Sequence, residues 1–282
     1  MILIVESGST KTAWRLIKDP TSPYESFSSV GINPYYETSA EIVASQGKVL
    51  AGFTGIPIQA VFYYGTGVTG DAQREIIAEA FRPFFANSCT LEIQNDLIAA
   101  ARSLCGKTSG VACILGTGSN TGYYNGKIIA KNSPGLGYVL GDEGSGAYLG
   151  KKVLQYFLYK TFDEELMLCF EKKYNLNRSE ILNKIYQEPL PNKYLASFAI
   201  FLSEHRGHYM IENIIEDGLN DFFYTHLNKL NESWLHPIHF TGSVAYAFRD
   251  VIKQLALVYE MELGKITKSP MEGLIAYHKN NK

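Results

Sequence analysis

A short turn near the start of the chain has the composition of a phosphate-binding site. An apolar run at residues 2–5 leads into ESGSTKT at residues 6–12, and a second apolar segment follows around Trp14. Two strands joined by such a turn present backbone N–H groups and hydroxyls together, which suits a phosphate. The candidate phosphate ligands are Gly8, Ser9, Thr10 and Lys11.

Glu6 stands where the first of these strands is expected to end. A carboxylate beside a phosphate site usually requires a cation between them, and Mg²⁺ held through water is the common one. Glu6 is therefore the candidate metal residue. For this stretch taken alone, an ordinary hairpin turn with a solvated lysine is the alternative interpretation.

The opening hairpin is repeated about one domain further along the chain. The sequence GVACILGTGSNTGYYNGKIIA at residues 110–130 again has an apolar strand, a small polar turn and a second strand, with Gly118 and Ser119 where Gly8 and Ser9 stood. A repeat at domain length indicates duplication, with two phosphate cradles expected to face one another across a cleft.

Asp96 directly follows a predicted strand at residues 90–94 and begins a predicted helix. Ligands of open α/β sheets bind at the carboxyl ends of the strands, so this carboxylate is a candidate catalytic group. A helix cap is the alternative, although Asn95 can take that role. A helix start favours the anion, which suits a base that accepts a hydroxyl proton late in phosphoryl transfer.

Two further acidic residues lie in the segment PGLGYVLGDEGSG at residues 134–146. Asp142 and Glu143 have the chemistry to bind vicinal hydroxyls of a sugar, with N–H donors added by a helix that is expected to begin near Gly144. A helix N-cap box without a ligand is the alternative. In TGSVA at residues 241–245, Gly242 would let an adenine ring approach the backbone.

GTGVTG at residues 65–70 matches a dinucleotide-binding fingerprint. Its strand is not the first of the domain, so we expect a tight loop at the mouth of the cleft instead. The sequence contains no P-loop signature, and the histidines show no metal-ligand spacing; His205 and His208 are expected at helix ends.

Composition describes a globular protein of 282 residues with two domains, 46% hydrophobic and 19% charged. The net charge of −2 gives no reason to expect a nucleic-acid partner. Four dispersed cysteines indicate reduced core residues of a cytoplasmic protein. The N-terminus enters a strand without a leader pattern, and no apolar run has the length of a membrane span.

The alternation of strands and helices predicts an α/β fold with partly parallel pairing. Besides the two hairpins, strands are expected at 59–64, 90–94, 236–240 and near 258–263, and a loop is expected after the first hairpin. Helices are expected at about 38–52, at 71–81 with Asp71 as cap, at 96–105, from near 144, at 162–173, 178–187, 192–205 and 209–229, through 248–255, and after Pro270.

Taken together, these motifs resemble the N-acetylglucosamine kinase family, a branch of the superfamily of actin, hexokinase and heat-shock chaperone ATPases. The specific part is GTGSN at 116–120 followed by GDEGS at 141–145, and ordered matches extend from residue 4 to about 275. The resemblance implies two duplicated ribonuclease H-like domains flanking a cleft, with a helical insert in the second. We expect domains at 1–108 and 109–269, with the closing helix at 270–282 packing on the first.

The family carries out transfer of the γ-phosphate of ATP to a sugar hydroxyl with Mg²⁺. By position, Asp96 would be the base for the attacking 6-hydroxyl, and Glu6 would help to hold the metal. Other residues would contact ATP through its phosphates or adenosine: Gly8, Ser9, Thr10, Lys11, Thr117, Gly118, Gly242 and Ser243. A further set would bind the sugar: Asn33, Ser119, Asn120, Gly135, Leu136, Gly137, Asp142 and Glu143.

Two positions depart from the pattern of the resembled proteins. The superfamily usually has Asp where this chain has Glu6, and a large aromatic residue is common where it has Leu136. The second departure bears on which sugar is bound more than on the reaction.

The sequence therefore predicts a cytoplasmic, ATP- and magnesium-dependent kinase of an amino sugar, with N-acetylglucosamine 6-phosphate as the expected product. N-acetylmuramic acid, glucosamine and glucose stay open as substrates. The alternatives are an activator ATPase of the 2-hydroxyacyl-CoA dehydratase type and a sugar sensor without catalysis. No nucleic acid or membrane is expected as a partner, and a homodimer would be in keeping with the resemblance.

Overall fold

The computed structural model describes residues 1–19 and 22–279. Contacts within the chain divide it into two compact units. Unit 1 contains Met1–Gly106 together with the segment that begins at Pro270, and unit 2 contains Lys107–Ser269.

The elements follow one another along the chain with short connections. The strands are β1 (Ile2–Ser7), β2 (Lys11–Ile17), β3 (Glu25–Val30), β4 (Ala60–Gly65), β5 (Thr90–Asn95), β6 (Gly110–Leu115), β7 (Ser119–Tyr124), β8 (Ile129–Ser133), β9 (Ile238–Thr241) and β10 (Leu263–Thr267). The helices are α1 (Ser39–Ala51), α2 (Asp71–Phe81), α3 (Asp96–Cys105), α4 (Gly137–Leu140), α5 (Gly146–Leu158), α6 (Glu164–Tyr174), α7 (Arg178–Tyr186), α8 (Pro191–Ser197), α9 (Ala199–Glu204), α10 (Tyr209–Phe222), α11 (Ser243–Ala247), α12 (Arg249–Val258) and α13 (Met271–Lys279). Short 3-10 turns lie at Arg82–Phe84 and Asn231–Trp234, and a π turn, Phe223–Leu227, follows α10.

The two units contain sheets with the same topology. Unit 1 has the order β3-β2-β1-β4-β5, in which β1 pairs antiparallel with β2 and parallel with β4. Unit 2 has the order β10-β9-β6-β7-β8, in which β6 pairs antiparallel with β7 and parallel with β9. Each sheet therefore consists of a three-stranded meander extended by two parallel strands, and the predicted duplication is confirmed.

The sheet of unit 1 is buried on both faces. This explains why the residues of β1 form a continuous apolar run. Side chains alternate along β1, so that Leu3 and Val5 pack in the cluster that contains Trp14 and Phe81. Ile2 and Ile4 pack in the opposite cluster, which includes Leu274 from α13. The C-terminal helix is thus part of the core of unit 1.

Unit 2 differs from unit 1 by the helices between its third and fourth strands. In unit 1 that connection holds α1 alone, whereas in unit 2 it holds α4 to α10. The core of unit 2 joins β6 residues such as Val111 and Leu115 to helix residues such as Phe198 and Phe222. The predicted α/β class with a helical insert in the second domain is confirmed.

Several boundaries differ from the prediction. The stretch expected to be a loop after the first hairpin contains β3, whose polar sequence ESFSSV forms an exposed strand at the sheet edge. The strand expected near 258–263 is displaced, because α12 continues to Val258 and β10 occupies Leu263–Thr267. The helix predicted at 192–205 breaks at Phe198 into α8 and α9.

The helix caps follow the sequence signals with one exception. Thr38 forms a capping box with Glu41, and Asn95 caps α3. Asp71 was expected to cap α2, but Gly70 occupies the cap position and Asp71 pairs instead with Arg74, at 2.7 Å. His205 and His208 lie at the ends of α9 and α10, as predicted.

All four cysteines are reduced thiols: Cys105 and Cys113 are buried, and Cys89 and Cys169 are half-buried. Within residues 1–19 and 22–279, none of the helices combines the length and apolar character needed to cross a membrane.

His278 in α13 makes the stability of unit 1 dependent on pH. Its Nε2 lies 2.8 Å from the Tyr64 hydroxyl, and its ring stacks on Phe62. Burial, with help from the charge of Arg102, lowers the pKa of His278 to about 4. The folded protein therefore holds the neutral ring while the unfolded chain takes up a proton, so stability is lost as the pH falls from the ordinary histidine range.

We predict that His278→Phe removes part of this dependence. Between about pH 7 and about pH 4, the free energy of unfolding of the wild type should fall by up to about 3 kcal/mol more than that of the variant. Urea denaturation of both proteins at the two pH values measures the difference. An identical pH dependence in both proteins would contradict this role for His278.

Candidate functional site

In unit 1, three parallel strands bring candidate groups to one edge of the sheet. Ser7 of β1 pairs in register with Gly65 of β4, and Gly65 pairs with Asn95 of β5. The next residues, Gly8, Thr66 and Asp96, therefore leave the sheet at the same edge. The Thr66 N–H donates to the Ser7 carbonyl at 3.0 Å, which continues the ladder.

The hydroxyl groups near the turn between β1 and β2 are of two kinds: some are buried and hydrogen-bonded within the protein, and others can reach a ligand. Ser7 and Thr12 are buried, and their hydroxyls lie 2.8 Å apart. Thr10 and Lys11 are exposed, and Ser9 is half-buried. The Gly8 N–H donates to the Lys11 carbonyl at 3.0 Å and so closes the turn. The candidate phosphate groups thus project from a turn that buried hydrogen bonds hold in place.

Asp96 is not needed as a helix cap. The side chain of Asn95 accepts the Ile98 N–H at 2.9 Å, as the sequence had suggested. The Asp96 carboxylate accepts hydrogen bonds from the Leu97 N–H and the Thr66 hydroxyl. Its carboxylate is therefore positioned by Thr66, a residue that the sequence analysis did not single out.

The protonation of Asp96 differs from the expectation. A helix start was expected to favour the anion, but burial outweighs it and raises the pKa of Asp96. The hydrogen bonds from Leu97 and Thr66 oppose this rise. A raised pKa brings the carboxylate nearer to the working range of a general base.

Glu6 has the properties expected beside a divalent cation. Burial first, and then the negative charge of Asp96, raise the pKa of Glu6 to about 7, against a lowering by Arg15. A cation near both carboxylates would relieve this repulsion. The described residues hold no cluster of three or more His, Cys, Asp or Glu for a metal, and Mg²⁺ commonly uses only one or two carboxylates plus water. The residues present therefore fit Mg²⁺.

Asn33 lies against the loop that follows β4. Its Oδ1 accepts the Tyr35 N–H at 3.1 Å, and a Cβ on Gly67 would stand 1.9 Å from that oxygen. Gly67 also has a φ of +77°, so a side chain there would be both strained and obstructed. The GTGVTG glycine thus makes room for Asn33 in a tight loop.

The sheet of unit 2 has a corresponding edge, formed by different residues. Ile114 of β6 pairs in register with Thr241 of β9, so the turn at residues 116–118 and Gly242 leave the sheet together. Gly242 has a φ of +125°, and a Cβ on it would stand 2.2 Å from the Leu115 carbonyl oxygen. Ser243 begins α11 and is exposed.

Asp142 connects the candidate sugar-binding residues of unit 2. Its Oδ1 accepts the Gly137 N–H at 3.1 Å, and the Ser119 N–H also donates to the carboxylate. A Cβ on Gly135 would stand 2.5 Å from the same oxygen. Burial raises the pKa of Asp142, while these N–H donors lower it. The backbone of Asp142 has a φ of +57°, a strained conformation that is frequent at functional sites.

Ser119 and Asn120 differ in how many hydrogen bonds their side chains already make within the protein. Ser119 Oγ is buried without a hydrogen-bond partner among the described residues, and such a hydroxyl can be satisfied by a ligand. Asn120 Oδ1 accepts from the Thr121 N–H and from Asn132 Nδ2, both at 3.0 Å. The amide nitrogen of Asn120 is therefore the atom that suits a ligand. Thr117 and Gly118 are half-buried in the adjoining turn.

One expectation for this loop is wrong. The N–H groups at the start of α5 were expected to face a ligand, but Gly146 and Ala147 donate to the carbonyls of Gly116 and Thr117 at 2.8 and 3.0 Å. Asp142 is 9% exposed, and its carboxylate is hydrogen-bonded by the loop. Leu136 is 62% exposed.

Glu143 has a partner that the sequence analysis did not identify. Its Oε2 lies 3.0 Å from Nε2 of His226, a buried residue 83 positions further along the chain. No motif or spacing in the sequence connects His226 to this loop, so the contact could not be predicted.

Comparison with known proteins identifies the family. No family model and no curated protein matches the chain. A solved structure from Porphyromonas gingivalis, provisionally named an N-acetylglucosamine kinase, is 36% identical, with a TM-score of 0.90 over 100% of this chain and 99% of that one. The chain belongs to the N-acetylglucosamine kinase family. The resemblance predicted from the motifs is confirmed.

More distant structures share the fold. A protein of Chromobacterium violaceum, also provisionally named an N-acetylglucosamine kinase, is 21% identical, with a TM-score of 0.72 over 98% of each chain. MreB 5 of Spiroplasma citri, solved with AMPPNP, is 10% identical, with a TM-score of 0.58 over 99% of this chain and 94% of that one. This chain therefore has the actin-like ATPase fold.

We predict that Gly242→Ala destabilises unit 2, because the new Cβ meets the Leu115 carbonyl oxygen and the backbone is left-handed. The expected cost is about 2 kcal/mol or more, which lowers the midpoint of thermal unfolding by roughly 5 °C. Gly116→Ala is the matched control, since a Cβ there meets no atom within 4 Å. Equal midpoints for the two variants would contradict the steric argument.

Proposed function

We propose that this protein transfers the γ-phosphate of ATP to the 6-hydroxyl of N-acetylglucosamine. Family membership across the whole chain supports an ATP-dependent sugar kinase. The observation that carries the reaction is the position of Asp96. Its carboxylate lies at the same edge of the sheet as the turn of residues 8–11, and Asn95 caps the helix in its place. Under this proposal the reaction takes place in the cytoplasm.

Asp96 acts as the general base in this proposal. Its carboxylate orients the sugar 6-hydroxyl and accepts the proton as the oxygen attacks the γ-phosphorus. Thr66 holds the carboxylate by a hydrogen bond, which leaves its remaining acceptor capacity for the substrate. Asn33 would hydrogen-bond a sugar hydroxyl from the neighbouring loop of unit 1.

The phosphates are bound by the turn of each unit. In unit 1, the turn at residues 8–11 binds the transferring end of ATP. Ser9 and Thr10 supply N–H groups and hydroxyls, Lys11 supplies a positive charge, and Gly8 has no side chain to obstruct the phosphate. In unit 2, Thr117 and Gly118 contact the phosphates, and Gly242 and Ser243 border the adenosine. The absence of a side chain at Gly242 suits a flat ring against the backbone.

The sugar is bound by the loop of unit 2 that Asp142 organises. Asp142 and Glu143 supply acceptors for hydroxyls, and the Ser119 hydroxyl and Asn120 amide supply donors. Gly135, Leu136 and Gly137 contact the sugar ring or its acyl group. The exposed side chain of Leu136 offers apolar surface for an acetyl methyl group.

Glu6 would help to hold Mg²⁺ beside the phosphates. When bound, the ion neutralises negative charge on the transferring phosphoryl group. The Glu6 pKa of about 7 supports this role. Without a cation nearby the ionised carboxylate is unfavourable, and a bound cation would stabilise it.

We predict that Asp96→Asn lowers turnover of N-acetylglucosamine by about a hundredfold or more while ATP binding stays nearly unchanged. The amide keeps the size of the side chain but accepts no proton. Turnover is measured by sugar-dependent ADP release, and ATP affinity by calorimetry.

Asp71→Asn is the matched control for this variant. Asp71 is also the first residue of a helix in unit 1, but its side chain is 99% exposed. It should leave turnover within about twofold. Unchanged turnover in Asp96→Asn would rule out Asp96 as the base.

Thr66→Val should shift the pH dependence of the reaction. Loss of the hydroxyl removes a hydrogen bond that lowers the pKa of Asp96, so the pKa rises further and the base is protonated at higher pH. The acid limb of kcat/KM against pH should therefore move to higher pH in the variant. An acid limb that stays in place would show that Thr66 does not tune the base.

A further inference from the structure

His226 contacts both ends of the loop at residues 134–141 in unit 2. Its Nδ1 lies 2.8 Å from Oγ of Ser133, which immediately precedes the loop. Its Nε2 lies 3.0 Å from Oε2 of Glu143, which follows the loop by two residues. The imidazole is 4% exposed, so these contacts are made within the protein.

The two contacts define which ring nitrogen donates. An ionised carboxylate only accepts hydrogen bonds, so Nε2 carries a hydrogen and donates to Glu143. In the neutral ring, Nδ1 then accepts the hydroxyl hydrogen of Ser133. Both ring nitrogens of the buried imidazole are therefore hydrogen-bonded, one to the residue before the loop and the other to a residue after it.

The position of the imidazole is fixed by the core. His226 lies in the π turn Phe223–Leu227, where the Asn228 N–H donates to the Phe223 carbonyl at 2.8 Å. The ring packs against Phe222, with centroids 5.1 Å apart. Such π turns are rare and occur frequently at functional sites.

The loop needs support at its ends. Gly135, Gly137 and Gly141 give its backbone unusual freedom, and the side chains of Val139 and Leu140 are mostly exposed. Within the loop, the Asp142 carboxylate receives the Gly137 N–H, and Lys151 Nζ donates to the Tyr138 carbonyl at 3.4 Å. At the two ends of the loop, the support comes from the contacts of Ser133 and Glu143 with His226. A single buried side chain that holds both ends therefore limits where the loop can lie.

We propose that His226 is a positioning residue that clamps the loop 134–141 and aims the Glu143 carboxylate at the sugar. Within the described part of the chain, His226 is the hydrogen-bond partner of the Glu143 side chain, which leaves Oε1 for a ligand hydroxyl. The sugar part of this inference rests on the proposed function. The clamp itself is a property of the free protein.

Three substitutions at His226 separate its two contacts. Phe keeps the packing against Phe222 and removes both hydrogen bonds. Gln places an amide near the position of Nε2 and can retain the bond to Glu143, whereas Asn places one near Nδ1 and can retain the bond to Ser133. His236→Phe is the matched control, because His236 also faces a serine, with Nδ1 3.3 Å from Ser109 Oγ, and stacks on Tyr123.

The expected effect falls on the sugar rather than on ATP. His226→Phe should raise the KM for N-acetylglucosamine about 10- to 100-fold and leave the KM for ATP within about twofold. His226→Gln should recover more of the sugar KM than His226→Asn, because it keeps the contact with Glu143. The control should change neither KM by more than about twofold.

Amide hydrogen exchange tests the clamp without any ligand. Exchange of residues 135–141 should be about tenfold faster in His226→Phe than in the wild type, and unchanged in His236→Phe. Unchanged exchange in His226→Phe, or equal increases in both KM values, would overturn the positioning role. A wild type that phosphorylates no sugar would instead overturn the proposed function, and the exchange comparison would still decide the clamp.

Discussion

The register between parallel strands determines where the proposed base and the phosphate-binding turns of this protein lie. In unit 1, Ser7, Gly65 and Asn95 are aligned across β1, β4 and β5, so the residues that follow them leave the sheet at one edge. In unit 2, the pairing of Ile114 with Thr241 does the same for the turn at 116–118 and for Gly242. A shift of one residue would turn each strand over and move buried side chains to the opposite face. The cores on both faces of the sheet of unit 1, and the core on the helix-covered face of the sheet of unit 2, therefore fix the register at these two edges.

Asp96 and Asp142, two carboxylates with raised pKa values, show how the same physical effect can serve different purposes. Burial raises the pKa of both Asp96 and Asp142, and hydrogen bonds oppose the rise in each case. Around Asp96 the donors are the N–H groups of Leu97 and of Asp96 itself and the hydroxyl of Thr66. Around Asp142 the donors are the N–H groups of Gly137, in the loop, and of Ser119, at the start of β7. The first residue is proposed to take a proton, and the second holds a binding surface together.

The groups that the sequence predicted well depend on local signals. A strand followed by Asn95 and Asp96 indicates both the cap and the free carboxylate, and the repeated hairpin indicates the duplicated sheets. Thr66 was missed because the strand register that brings it to Asp96 is a tertiary feature. His226 was missed because 83 residues separate it from Glu143. β3 was missed because an exposed edge strand with three serines lacks the apolar alternation of a half-buried one.

The central claim is that this chain phosphorylates an amino sugar. The most direct measurement is ADP release by the purified protein with ATP and Mg²⁺, taken separately with N-acetylglucosamine, N-acetylmuramic acid, glucosamine and glucose. The proposal predicts the highest kcat/KM for N-acetylglucosamine, with one 6-phosphate formed for each ADP. ATP binding without sugar-dependent ADP release for any of the four would contradict it.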